Sequence, residues 1–144
     1  MMYYFAYGMN TNAQEMAWRC PAAEDLGTAY LDDHQMIFRH HADMVHAPGH
    51  TAPGVLWRIT PACLAALDTL EGYPYYYLRR QVQVHTDNGT VPALMYYMAE
   101  DGSPANPSSG YYNLVLQGYN SHKISEKYLI EGLTDNSHFA TIMA

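Results

Sequence analysis

GVLWRITPACLAALDTLEGYP, residues 54–74, is the stretch on which the fold turns. GVLWRI is short, apolar and rich in β-branched and aromatic side chains, which predicts a strand over 54–59. Thr60 is a natural helix N-cap, Pro61 fits the first helical position, and Gly72 suits the residue after the last turn. Between them ACLAALDTLE consists mostly of good helix formers. Leu64, Leu67 and Glu71 fall on one stripe of that helix at i, i+3 and i+7. Gly72-Tyr73-Pro74 then breaks the chain.

Working outward, residues 3–7 are aromatic and read as a first strand that Gly8 ends. Thr11 or Asn12 can cap a short helix that runs to about Arg19 and stops before Pro21. Residues 26–31 and 35–40 read as two strands joined at Asp32-Asp33-His34. Residues 42–53, with Pro48, Gly49 and Pro53 and no period, read as a loop. Beyond Pro74, residues 76–86 and 90–99 form a hairpin about Asp87-Asn88-Gly89. Residues 100–109 read as a loop, 109–119 and 125–133 as helices. The expected domain spans 1–133, with a loose tail over 134–144. Strands first, one inserted helix and helices last predict an α+β fold with a few helices and a mostly antiparallel or mixed sheet that can curl into a small β-barrel-like sheet.

The chain has 144 residues, 49% hydrophobic and 15% charged, which fits one domain with a real core. Its 14 acidic and 7 basic residues give a net charge of −7, a poor match to nucleic acid or an anionic membrane. Tyrosine stands out, at 14 against 3 Phe and 2 Trp. Each pairs an apolar face with a polar tip and suits a wet aromatic wall as well as a core. No run reaches the ~18–20 apolar residues of a membrane span, and the N-terminus lacks the basic start of a signal peptide. Cys20 and Cys63 fit free thiols in a reducing cytosol, and a cytoplasmic location is the expectation.

Glu71 is the first candidate for chemistry. Partial burial on the apolar stripe and the negative end of a helix both disfavour its anion and raise its pKa. Proton transfer near neutral pH needs such a carboxyl. A last-turn glutamate pointing into solvent is the competing reading. The second candidate is the loop after the first strand, Tyr4-Phe5-Ala6-Tyr7-Gly8-Met9-Asn10. Its backbone N–H groups can hold a carboxylate or an oxyanion, or the segment is an ordinary tight turn. Tyr111 opens a helix after the loop and can reach a cleft wall or pack. His40, His41, His46 and His50 lie in one region without metal-ligand spacing, so no metal is assigned. Cys63 at the start of its helix reads as packing, and Ser108-Ser109 as a cap. Arg79 and Arg80 must point to opposite faces of their strand, one of them available to brace a site.

These residues together resemble the gamma-glutamylcyclotransferase-like family, which includes AIG2-like proteins and gamma-glutamylamine cyclotransferases. YFAYGMN at 4–10 is similar to the family's Y-F-x-Y-G-S-N loop, with Met9 where the family commonly has Ser. GVLWRIT followed by LDTLEGYP at 67–74 is similar to its strand and L-D-x-x-E-G segment. Tyr77-x-Arg79-x-x-Val82-x-Val84 is similar to its Y-x-R-x-x-V-x-V strand, and Tyr111 with Gly118 to its helix tyrosine before a glycine. The resemblance implies a barrel-like fold with one cleft and an enzyme that releases 5-oxoproline from a γ-glutamyl amine, amino acid or peptide. It implies Glu71 as general acid/base, substrate binding by Tyr4, Phe5, Ala6, Tyr7, Gly8, Met9, Asn10 and Tyr111, and no cofactor or metal. A non-catalytic binding module of the same fold, or an enzyme cutting a related amide or isopeptide bond, is the alternative. The leaving amine and the oligomeric state stay open.

Overall fold

The computed structural model describes residues 2–100 and 102–134. Most of the expected 134–144 tail therefore lies outside the described residues. Five strands close into a barrel in the order β1-β3-β2-β4-β5, with β1 at Met2–Ala6, β2 at Glu24–Arg39, β3 at His41–Ile59, β4 at Tyr77–Thr86 and β5 at Gly89–Met98. Neighbours run antiparallel except where β1 meets β5 in parallel at Tyr4 and Leu94, so the sheet is mixed. Closure leaves no long unpaired edge. Inward side chains such as Phe5, Val55, Val84 and Met95 are fully buried in the core.

Four helices dress the barrel among the described residues: α1 (Ala13–Arg19), α2 (Pro61–Glu71), α3 (Ser109–Ser121) and α4 (Lys127–Glu131). Asn12 caps α1 by accepting from the N–H groups of Gln14 and Glu15. Thr60 caps α2, Pro61 opens it, and Gly72 ends it at φ 65, a conformation costly for any residue with a Cβ. Leu67 of α2 and Val115 and Tyr119 of α3 are completely buried. The second expected terminal helix is shorter than 125–133, confined to Lys127–Glu131.

Two expectations are corrected on the strands. Residues 26–31 and 35–39 belong to one long strand, with His40 outside it, and residues 42–53 are not a loop but most of β3. β2 and β3 form a single hairpin that turns at His40, whose φ is 65. The ladder skips between the pairs His34–His46 and Asp32–Thr51, so Pro48 and Gly49 sit in a bulge outside the register. Asp33 at φ 60 bends the facing strand and its carboxylate accepts from the Gly49 N–H at 3.0 Å. A bulge tolerates Pro because no ladder donor is needed there.

A third correction concerns the cysteines. Cys20 and Cys63 are joined in a disulfide, both sulfurs buried, not free thiols. The bond ties the residue after α1 to the first turn of α2, and the expectation of a reducing compartment loses its premise. No described helix is long and apolar enough to cross a membrane.

Candidate active site

At one end of the barrel a cleft of about 180 Å³ opens between the end of β1, the tips of α1 and α2, and the His40 turn. The loop after β1 forms its floor. Tyr4, Phe5, Tyr7, Gly8, Met9 and Asn10 line it. The segment is held firmly: Trp57 Nε1 donates to Asn10 O at 2.9 Å, Asn10 Nδ2 to Tyr4 Oη at 3.0 Å, and Tyr7 Oη to Tyr96 O at 2.7 Å. Thr11 folds the turn back, with Oγ1 donating to Gly8 O at 2.7 Å. α3 lies directly on this turn at Gly118. A Cβ there would come within 2.2 Å of Thr11 Oγ1, so only glycine permits the approach.

That approach sets Tyr111, on the first turn of α3, against the cleft. Its phenol oxygen accepts from the Ala42 N–H at 3.1 Å and from the Met9 backbone. With the oxygen so occupied, the phenol proton is left to face the cleft. Burial raises the pKa of Tyr111 to about 12, so the proton stays on at neutral pH.

Glu71 is the last residue of α2 and lines the same cleft, half-buried. It makes no hydrogen bond or ion pair among the described residues. Burial raises its pKa from 4.5 to about 7, against an opposing pull from the Arg19 guanidinium. α2 is fixed one turn earlier. Asp68 takes a side-on pair from Arg79, Nε to Oδ1 at 2.9 Å and Nη2 to Oδ2 at 3.3 Å. Tyr96 Oη also donates to Asp68 Oδ1, at 2.6 Å. Arg79 is thus the bracing arginine, and Arg80 instead meets His34 Nε2 at 2.6 Å.

Ala6 is the one expected binding residue that does not line the cleft. It is buried in the ladder opposite Val55. Several lining residues had no motif to mark them, Arg19, His41, Ala42, Tyr76 and Tyr96, while Leu70 and Tyr77 lie within quoted motifs but were not assigned to binding. His41, Tyr76 and Tyr111 form the mouth, with the His41 ring 5.1 Å from Tyr111 and its Nδ1 2.9 Å from Tyr76 Oη. Burial and the neighbouring His40 push the His41 pKa below its usual value, which favours the neutral ring. Tyr75 stands 86% exposed, outside the cleft. The expected loop over 42–53 left open whether this region covers the cleft, and it is the start of β3, at His41 and Ala42, that reaches it.

The chemistry available is one carboxyl that titrates near neutrality, backbone and phenol donors, and one guanidinium. Among the described residues no serine, threonine, cysteine or lysine lines the cleft, so the arrangement suits a reaction whose nucleophile comes from the bound molecule or from water.

Comparison with known proteins agrees with this fold. The family model described as "Gamma-glutamyl cyclotransferase, AIG2-like" matches residues 4–114. Gamma-glutamylcyclotransferases of Mus musculus and Homo sapiens are 27% and 26% identical over 138 residues, covering 87% of this chain and 73% of theirs. A solved structure titled "Gamma-glutamyl cyclotransferase" superposes with a TM-score of 0.81 at 25% identity, over 90% of this chain and 85% of that one. YkqA from Bacillus subtilis shares the fold with a TM-score of 0.77, over 99% of this chain and 54% of its own. With the matched segment spanning the loop, the helix that ends in Glu71 and the start of α3, the chain belongs to the gamma-glutamyl cyclotransferase, AIG2-like family.

Proposed function

We propose that the cleft releases 5-oxoproline from a γ-glutamyl amine, amino acid or peptide, with Glu71 as the general acid/base. The observation that carries this reading is a half-buried, unpaired carboxyl with a pKa of about 7 that shares a cleft with the loop after β1 and with no serine, threonine or cysteine among the described lining residues. The substrate's own α-amine attacks its γ-carbonyl carbon. A C–N bond forms, closing a five-membered lactam, and the γ-amide C–N bond breaks. The α-ammonium gives up two protons in becoming the lactam N–H. The leaving nitrogen gains two in becoming an ammonium, so Glu71 ends in the state in which it began.

Attack within one molecule turns much of the barrier into a question of positioning. The cleft therefore has to hold the glutamyl chain bent and stabilise the oxygen that gains charge. The second task falls to the Tyr7–Asn10 backbone and the Tyr111 phenol, a reading supported by their lining of the cleft. Met9 replaces the serine common in the family loop, so no hydroxyl is offered at that position, and the Met9 backbone is already engaged by the Tyr111 phenol oxygen.

The test is mass-spectrometric detection of 5-oxoproline from γ-glutamyl-alanine, γ-glutamyl-ε-lysine, γ-glutamyl alkylamines and glutathione. The expected result is product from at least one of them, with turnover lowered by at least ~10²-fold in Glu71→Gln. No product from any of them with folded protein, or equal turnover in the variant, would contradict the reading. The binding-module and related-amide alternatives would then lead.

A further inference from the structure

The mechanism above leaves one charged group of the cleft without a task. Arg19 is the last residue of α1, its side chain only 19% exposed, and it lines the cleft beside Glu71. One edge of its guanidinium is occupied: Nη1 donates to Glu15 O at 2.9 Å, with Glu15 Oε1 at 4.0 Å. The other edge is not. Nε is buried with no hydrogen-bond partner, and Nη2 reaches only the thioether of Met9, at 3.2 Å. A thioether is a weak acceptor, and a buried donor without a partner is costly. Nε and Nη2 together form the edge that grips a carboxylate with two parallel hydrogen bonds. The same molecule displays that grip when the partner is present, in Arg79 on Asp68.

We propose that the Nε–Nη2 edge of Arg19 binds the α-carboxylate of the cleft's ligand, displacing the Met9 thioether. The loop N–H groups are then free for the γ-carbonyl oxygen. The inference rests on the γ-glutamyl reading for the ligand's identity, and on the open arginine edge for its place. Two features pin Arg19 for this task. Its Nη1 is anchored within its own helix, and the next residue, Cys20, is tied by the disulfide to Cys63 of α2, the helix that ends in Glu71. Arg19 and Glu71 are thus held across one cleft, where the cation meets the carboxylate and the acid meets the amine. Flexible Met9 covers the edge until a better acceptor arrives.

The experiment compares two ligands that differ only at the carboxylate, 5-oxoproline and 5-oxoprolinamide, by calorimetry. The wild type, Arg19→Lys and Arg19→Gln are titrated, with thermal unfolding as the check on folding. The wild type is expected to favour 5-oxoproline by at least about tenfold, the scale of charge-assisted hydrogen bonds. Arg19→Lys keeps the charge but not the fork and is expected to lose about tenfold in 5-oxoproline affinity, with the amide unaffected. Arg19→Gln is expected to bind the two alike; if it does not fold, the lysine variant carries the test. No preference in the wild type, or full preference in a folded variant, overturns the proposal. Release of 5-oxoproline from γ-glutamyl-alanine is measured on the same wild-type sample. Turnover with Arg19-independent binding refutes the arginine and spares the reaction. Arg19-dependent carboxylate binding without turnover refutes the reaction and spares the arginine.

Discussion

Arg79 meets α2 at Asp68, Arg19 shares the cleft with Glu71, and the fold treats the two arginines oppositely. Arg79 has a carboxylate across its side-on edge and the Tyr73 ring 4.3 Å from its guanidinium carbon. Arg19 has the same edge covered only by a thioether. The first arrangement is finished and holds a helix in place. The second is unfinished, in a cleft whose carboxyl also lacks a partner. A folded chain rarely leaves a buried donor and a buried acid unpaired a few residues from a braced one. The contrast separates residues that build the cleft from residues that await what enters it.

The sharpest way to break that division is at Glu71. Glu71→Gln should cost at least ~10²-fold in kcat while substrate binding measured by calorimetry survives. A comparable loss of binding would place Glu71 among the builders. Next is the braced pair. Asp68→Ala should destabilise the protein by about 1–3 kcal/mol in denaturant unfolding, because it leaves Arg79 and Tyr96 without their acceptor. Arg19→Lys should shift stability far less, and equal losses would erase the contrast.

A pH effect follows from Glu71. Its folded-state pKa of about 7 lies above the unfolded value of 4.5, so the folded state binds the extra proton between them. The stability this proton contributes is present below the unfolded value and is lost as pH rises through about 7. Glu71→Gln should lack that decline and be the more stable protein at pH 8 by thermal unfolding. Tyr111→Phe keeps the ring and removes one donor to the oxygen that gains charge, so it should lower kcat by about 10²-fold.

Much of this was legible in the chain. α2 announced itself through Thr60, Pro61 and Gly72, and the 87–89 turn through its Asn-Gly pair, because caps and tight turns are local chemistry. Glu71 was legible because helical spacing places it beside Leu67. The β2–β3 hairpin was not. Pro48 and Gly49 mark a real bulge, but pairing resumes on both sides of it, and pairing is a long-range property. The disulfide was hidden for the same reason, since Cys20 and Cys63 are brought together only by the packing of α1 on α2. Arg19 carried no local signal at all. Its meaning depends on the partners it lacks, and those appear only once Met9, Glu15 and Glu71 have been placed around it.

The measurement that bears most directly on the account is a 13C NMR titration of the Glu71 side-chain carboxyl in the unliganded protein. The account predicts a midpoint near pH 7, the protonation that a shuttle in this cleft requires. A midpoint near the ordinary glutamate value of about 4.3 would mean a solvated surface carboxylate and would contradict it.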